Sequence, residues 1–204
     1  MRALDAVLGV RCVGCGLSGR LLCAACVAGL PSPTIDQPIA DVDRVLIPCD
    51  YRQVVRRFVL DLKVRGLRGA ADPLIDAMQR IVVESGVRGE GIAWVPGRRH
   101  DIRRRGFDHA EVLAKGLAVR LGLPAHRYLI RRADTADQTS LGIADRWRSV
   151  ANAFGASNSP ELVILVDDLV TTGATASACA RALRAAGAES VELVAASRAG
   201  LARV

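Results

Sequence analysis

Apolar positions along the chain follow two alternating patterns. Short runs rich in apolar residues predict buried strands at 42–49, 92–95, 162–166 and 191–196. Segments in which apolar residues recur every three or four positions predict helices at 52–65, 71–84, 107–121 and 173–186. Gly122 and Gly187 follow the last two helices, where glycine commonly ends a helix. Because strands alternate with helices, the order predicts an α/β fold with a doubly wound, mostly parallel sheet.

The pattern does not extend to the N-terminal residues. Residues 1–30 contain four of the six cysteines, and the proline-rich stretch that follows them is incompatible with a regular helix or strand. The sequence therefore predicts a small cysteine module at 1–30, a linker at 31–41 and one α/β domain at 42–204.

The four N-terminal cysteines form two Cys-x-x-Cys pairs separated by seven residues: Cys12, Cys15, Cys23 and Cys26. Four thiolates suit a closed tetrahedral zinc site, which is structural because no position stays open for water. Two disulfides are the main alternative and need an oxidising compartment. A thioredoxin-like redox pair is a further alternative, but no βαβ pattern surrounds the cysteines. Cys49 and Cys179 lie alone in apolar surroundings and are predicted to be buried and structural.

Composition and charge narrow the class of protein. The 204 residues are 50% hydrophobic but only 3% aromatic, which predicts a core of small aliphatic side chains. The 28 basic residues exceed the 21 acidic ones, and nearly all are arginine, which favours bidentate contacts to phosphates. A GC-rich genome would give the same arginine bias. No apolar run approaches the ~20 residues of a membrane span, and the first ten residues are too charged for a signal peptide, so we expect a cytoplasmic protein.

The predicted strand 162–166 is followed by candidate ligand-binding residues. Asp167 and Asp168 come first, and their carboxylates suit vicinal hydroxyls or a hydrated magnesium ion. A small turn then leads into a helix, whose N-terminus and backbone N–H groups suit a phosphate. A ligand with a ribose diol and a 5-phosphate fits both halves, at the sheet edge where α/β proteins bind ligands. The alternative is an ordinary strand–helix junction in which Asp168 or Thr171 only caps the helix. The predicted 5-phosphate loop consists of Thr171, Thr172, Gly173, Ala174 and Thr175.

A basic segment follows the predicted strand 92–95. It is predicted to be a loop at the same sheet edge, where its guanidinium groups suit a pyrophosphate. The alternative is a solvated loop that contacts nucleic acid by charge alone. His100 in this loop is a candidate acid, although a lone histidine in a loop is more often simply exposed. The predicted pyrophosphate-binding residues are Arg98, Arg99, Arg103, Arg104 and Arg105.

These segments resemble known families. The run from Val163 to Thr175 resembles the ribose-5-phosphate loop of type I phosphoribosyltransferases, and Arg105–Ala110 resembles the Arg-Gly-Phe-Asn-Gln-Ala segment of the ComF family. This chain has Asp108 and His109 where that family usually carries Asn and Gln. The resemblance covers essentially the whole chain, including the cysteine module and these further positions: Tyr51, Leu62, Lys63, Gln138, Leu141, Arg146, Asn152 and Phe154.

The resemblance implies a ComF-like, type I phosphoribosyltransferase fold that binds phosphoribosyl pyrophosphate (PRPP) with magnesium. The implied activity is transfer of the phosphoribosyl group to an unidentified nitrogen nucleophile, in connection with DNA uptake. Gln138 and Arg146 resemble part of a mobile loop that closes over PRPP in amidophosphoribosyltransferases. The alternatives are a PRPP sensor without turnover, a single-stranded-DNA-binding protein, and a scaffold that docks a DNA-uptake helicase. The chain has only two Trp, two Tyr and three Phe, which is few for a base-stacking platform.

Overall fold

The computed structural model describes residues 11–12, 15–19, 23, 25–26, 38–49, 55–56, 71–132 and 152–199. Most of the predicted helix at 52–65, most of the predicted linker, and the two loop residues Gln138 and Arg146 lie outside this part of the chain.

Strands and helices are interspersed along the described residues, with one pair of consecutive helices and one run of three consecutive strands. The six strands are β1 (Arg44–Leu46), β2 (Gly91–Trp94), β3 (Leu129–Arg131), β4 (Phe154–Ala156), β5 (Leu162–Val170) and β6 (Ser190–Arg198). The four helices are α1 (Ala71–Ser85), α2 (Arg99–Arg105), α3 (His109–Leu121) and α4 (Ala174–Ala185).

Four strands form the central sheet, in the order β1-β6-β5-β2. All three strand pairs are parallel, with β5 between β6 and β2. Strands β3 and β4 pair antiparallel in a separate two-stranded sheet. The carboxyl end of β5 therefore lies in the middle of the parallel sheet.

The sheet buries a different set of helices on each face. Ile164 and Val166 of β5 belong to a hydrophobic cluster with residues of α1 and α3. Val163 and Leu165 point the other way, because successive strand residues alternate between faces, and they pack with residues of α4. Helices on both faces of a parallel sheet confirm the predicted doubly wound α/β fold.

A glycine ends one helix, as the sequence predicts, and another glycine precedes the start of a second helix. Gly122 adopts φ 68° after α3, and its N–H donates to the carbonyl of Ala118. Gly173 adopts φ 81° before α4. Ile39 packs directly over Gly173, where an added Cβ would lie 2.7 Å from Ile39 Cγ1.

Three predictions about the elements are wrong. Strand β5 continues four residues beyond Val166, because its backbone still pairs with β6 after the apolar side chains end. The basic segment is helical at Arg99–Arg105 instead of a loop. Strand β1 is three residues long, shorter than the predicted 42–49. Strands β3 and β4 were not predicted as a pair.

Helix α2 forms without a buried face, for reasons that are local. Asp101 lies in its first turn and pairs with Arg104 at 3.6 Å and Arg105 at 3.8 Å. Its last turn is basic, which suits the negative end of the helix dipole. Gly106 then ends the helix at φ 80° and donates its N–H to Ile102.

Candidate functional site

The two adjacent acids lie inside β5, near its carboxyl end. The Asp168 N–H donates to Asp167 Oδ1 at 2.8 Å, so the Asp167 side chain folds back along the strand. Asp168 is buried at 5% exposure, whereas Asp167 is partly buried. Because strand residues alternate, the two side chains address opposite faces of the sheet.

Asp168 lies on the α3 face, close to a histidine. His109 Nδ1 is 3.6 Å from Asp168 Oδ2 and 3.7 Å from Asp108 Oδ1. The three side chains are nearly buried, at 12% exposure for His109, 7% for Asp168 and 5% for Asp108. An imidazole therefore lies between two buried carboxylates.

Asp108 connects the strand β2 edge to α3. Its Oδ1 accepts the Ala110 N–H at 3.3 Å, which caps α3, and its Oδ2 accepts the Gly97 N–H at 2.8 Å. The capping role has a signal in the sequence, since an aspartate directly precedes a helical pattern. The contact between His109 and Asp168 has no local signal and was missed.

Asp167 lies on the α4 face. Burial raises the pKa of the Cys179 thiol well above its usual value, and the negative charge of Asp167 raises it further. Cys49 and Cys179 are 1% and 0% exposed, which confirms that both are buried. Cys179 is thus held as a neutral thiol and acts as part of the core.

Arg131 is a basic residue at this edge that the sequence did not indicate. Its Nε donates to the carbonyl of Pro96 at 3.1 Å, just beyond the end of β2. Its guanidinium carbon lies 4.7 Å from the centre of the Phe154 ring. Arg131 therefore joins the antiparallel β3–β4 pair to the carboxyl edge of the parallel sheet.

The turn between β5 and α4 has a small, glycine-based helix start. Gly173 is the N-cap of α4 and supplies no side-chain cap. Neither Asp168 nor Thr171 occupies the capping position. The Ala174 N–H lies 3.4 Å from Thr172 Oγ1, a long hydrogen bond. Helix α4 therefore starts four residues after the end of β5, without a side-chain cap from its N-cap residue.

The five predicted arginines differ in burial. Arg99, Arg103 and Arg104 are exposed, whereas the Arg98 residue is only partly exposed. The Arg105 side chain is 15% exposed, and its Nε is buried with no hydrogen-bond partner among the described residues. Arg105 is therefore the arginine of α2 whose charge is most removed from water.

The four N-terminal thiols lie together as the spacing predicts. All four sulfur atoms are within 4.8 Å of one another, an arrangement that can hold a metal ion. The Sγ atoms of Cys15 and Cys23 are 3.6 Å apart, close to the ~3.8 Å between sulfurs around a tetrahedral zinc with Zn–S of about 2.3 Å. The Cys23 N–H donates to Cys12 Sγ at 3.4 Å. None of the six cysteines forms a disulfide.

The four-cysteine cluster is packed against the α/β domain. Cys12 is 3% exposed and belongs to the hydrophobic cluster that includes residues of α1 and α3. Hydrogen bonds from Cys23, Cys12 and Cys15 raise the pKa of Cys26 to about 12. In the absence of metal the Cys26 thiol therefore stays protonated, and a bound metal must displace its proton.

Comparisons with known proteins confirm the resemblance to the ComF family. The chain is 32% identical over 96 residues to Competence protein F of Haemophilus influenzae. The match covers 44% of this chain and 42% of that relative, so less than half of the relative is represented. No protein-family model matches the chain.

Solved phosphoribosyltransferase structures are similar at a lower level. A glutamine PRPP amidotransferase from Bacillus subtilis, complexed with ADP and GMP, has a TM-score of 0.44 and 22% identity, covering 62% of this chain and 26% of that one. An adenine phosphoribosyltransferase from Leishmania tarentolae has a TM-score of 0.42 and 14% identity, covering 79% and 78%. At TM-scores below 0.5 these likenesses carry no weight of their own.

Among the described residues, no helix is both long and apolar enough to cross a bilayer.

Proposed function

We propose that this chain binds PRPP with magnesium at the carboxyl edge of β5 and transfers its phosphoribosyl group to a nitrogen nucleophile. The observation that carries the proposal is the order of groups on β5, a strand inside the parallel sheet: two acids, a small turn, and the start of α4. Within a few residues, the acid pair favours hydroxyl donors or a cation, whereas the helix start favours an anion. A phosphorylated sugar has hydroxyls for the first and a phosphate for the second.

The acids are proposed to bind the ribose hydroxyls. A carboxylate accepts hydrogen bonds from both hydroxyls of a diol, and such charge-assisted bonds are about twice as strong as neutral ones. A sugar lying across the end of β5 reaches Asp167 from one face of the sheet and Asp168 from the other. The 5-phosphate is proposed to bind at Thr171–Thr175, where its interaction supplies binding energy remote from the reacting carbon.

The basic residues of α2 are proposed to hold the pyrophosphate. Arg105 is the strongest candidate, because its side chain is only 15% exposed and its buried Nε has no hydrogen-bond partner among the described residues. Arg98 precedes the helix and is also shielded, while the three exposed arginines add long-range attraction. Positive charge fixed at this point stabilises the pyrophosphate as it departs and gains charge.

The side chains present fit both proposed metals, magnesium at the acid pair and zinc at the four-cysteine cluster. Magnesium prefers oxygen ligands and commonly binds through substrate phosphates and one or two carboxylates, so Asp167 and Asp168 are suitable partners. It would neutralise charge on the pyrophosphate. Zinc is proposed for the four-cysteine cluster, since four thiols at tetrahedral spacing suit it.

We also propose roles for the remaining parts of the chain. Residues 1–30 are the zinc module, 31–41 the linker and 42–204 the phosphoribosyltransferase-like domain, in a cytoplasmic protein linked to DNA uptake. Gln138 and Arg146 are proposed to belong to a loop that closes over PRPP. They lie between β3 and β4 in sequence, and Arg131 joins that strand pair to the sheet edge.

Pyrophosphate release tests the proposal. Purified protein is incubated with PRPP and magnesium, alone and with candidate nitrogen bases or single-stranded DNA, and released pyrophosphate is measured. The expected result is release that needs magnesium and rises with one class of acceptor. The control is the Asp167→Asn, Asp168→Asn double variant. Tight PRPP binding without release by any acceptor would instead indicate a sensor.

A nucleic-acid role is the second candidate. It is favoured by the exposure of Arg99, Arg103 and Arg104 along α2, where their side chains can reach the phosphates of a single strand. Neutralising these three residues should then flatten the salt dependence of single-stranded-DNA binding. PRPP affinity would be unchanged in the same variant if the exposed arginines serve nucleic acid alone.

A further inference from the structure

Asp108, His109 and Asp168 form a nearly buried cluster that the sequence did not predict. His109 begins α3, and its Nδ1 lies between Asp108 Oδ1 at 3.7 Å and Asp168 Oδ2 at 3.6 Å. These two carboxylates are the acidic groups within ion-pair distance of His109 among the described residues. The three residues come from two separate segments of the chain and meet only in the fold.

Burial makes the arrangement costly unless its charges are balanced. Two nearly buried carboxylates are unfavourable without a compensating donor or charge. Asp108 is held in place by the N–H groups of Gly97 and Ala110, so it is fixed before it meets the imidazole. The His109 ring is consequently confined between one fixed carboxylate and the acid that the proposed function assigns to ribose.

The cluster is not arranged as a metal site. The four-cysteine cluster is the only group of three or more ligating side chains close enough to share an ion among the described residues. The imidazole therefore separates the two carboxylates instead of joining them around a common centre. Its Nε2 is buried with no hydrogen-bond partner in the same part of the chain, so its interactions are directed through Nδ1.

We propose that His109 is a positioning residue: it bridges Asp108 and Asp168 and holds the Asp168 carboxylate in the orientation that binds the ribose hydroxyls. Asp108 and His109 act as a compensating pair, in which the His109 ring lies next to the Asp108 carboxylate and separates it from Asp168. The part that concerns ribose rests on the proposed function. The pairing of His109 with Asp168 does not.

Substitutions at Asp108 and His109 test whether the two residues compensate each other. His109→Gln keeps a hydrogen-bond donor but removes the ionisable ring, which leaves Asp108 and Asp168 less well compensated. Adding Asp108→Asn removes the excess negative charge and keeps one oxygen, which can accept the N–H of either Gly97 or Ala110, since Asp108 uses a different oxygen for each. The double variant should therefore recover what the His109→Gln variant loses.

The experiment measures magnesium–PRPP affinity by calorimetry for His109→Ala, His109→Gln, Asp108→Asn with His109→Gln, and each His109 change combined with Asp168→Asn. We expect His109→Ala to weaken binding about tenfold or more, because Asp168 loses the side chain that confines it. The paired Asn–Gln variant should return to within about threefold of the unchanged protein. In the Asp168→Asn background, His109→Ala should cause no further loss, because its effect acts through Asp168. His126→Ala, at an exposed histidine, is the matched control.

Two results would overturn the inference. One is a His109→Ala protein that binds PRPP as the His126→Ala control does. The other is independent loss, in which the effects of His109→Ala and Asp168→Asn multiply.

Urea unfolding of the same variants separates this inference from the proposed function. If the unchanged protein does not bind PRPP, the proposed function fails, yet non-additive unfolding energies for His109→Ala and Asp168→Asn still support the pairing. Additive energies would refute it without reference to any ligand.

Discussion

Replacing Gly173 by alanine should destabilise the protein more than the same change at Gly106 or Gly122. All three glycines have left-handed backbone angles, with φ of 81°, 80° and 68°. That conformation costs a residue with a side chain roughly 1–2 kcal/mol. The shared backbone cost makes Gly106→Ala and Gly122→Ala matched controls, because an added Cβ at either position meets nothing within 4 Å.

Gly173 carries a second cost that the controls lack. Its Cβ would lie 2.7, 2.9 and 3.1 Å from the Cγ1, Cδ1 and Cγ2 atoms of Ile39, which is itself 4% exposed. Overpacking of this kind costs about 1–3 kcal/mol. Adding the backbone cost gives roughly 2–5 kcal/mol for Gly173→Ala, against about 1–2 kcal/mol for each control.

The assay is urea unfolding, in which the free energy is the midpoint multiplied by the slope. Truncating Ile39 to alanine removes the three atoms that Cβ would meet, so Gly173→Ala in that background should cost only what Gly106→Ala costs. The reasoning is refuted if Gly173→Ala matches the controls in the unchanged protein. It is also refuted if the Ile39 truncation leaves the excess in place.

Three further predictions concern the metal and the arginines. Removing metal with a chelator should lower the melting temperature of the whole chain in one transition, because Cys12 packs in the hydrophobic cluster shared with α1 and α3. Metal analysis should give about one zinc per chain. An unchanged melting temperature after metal removal would contradict the coupling between the metal site and the fold. Metal should also be lost as pH falls, because protons compete with the metal for the sulfur atoms. Hydrogen bonds from the neighbouring cysteines raise the pKa of Cys26 to about 12, which favours its protonated form. Arg105→Ala should lower the rate of pyrophosphate release by about tenfold or more, and the exposed control Arg103→Ala should lower it less; equal losses would show that burial of Arg105 has no bearing on its role.

The fold class followed from the sequence because burial and periodicity agree in the long elements. Helices α1, α3 and α4 and strand β6 lie within two residues of their predicted limits. Strand β5 was predicted too short because apolar patterning reports side-chain burial, whereas the pairing of β5 with β6 depends on backbone groups that continue past Asp167. Helix α2 was missed because it buries no residue and has no apolar face to recognise.

The candidate site divides in the same way. The acids, the turn and the four cysteines were found because each group is contiguous or regularly spaced in the sequence. The contact between His109 and Asp168 was missed because residues from α3 and β5 meet only after the sheet forms. Arg131 was missed because β3 and β4 are three residues each, too short for an apolar pattern, and its contact with Pro96 is tertiary.

Calorimetric titration of PRPP tests the central claim most directly. Binding should require magnesium, and the Asp167→Asn, Asp168→Asn double variant should bind at least about tenfold more weakly, because charge-assisted hydrogen bonds contribute roughly 1.5–3 kcal/mol each. Matched thermal unfolding of the variant shows whether the loss comes from the site or from the fold. No PRPP binding by the unchanged protein, or equal affinity in the folded double variant, would contradict the account.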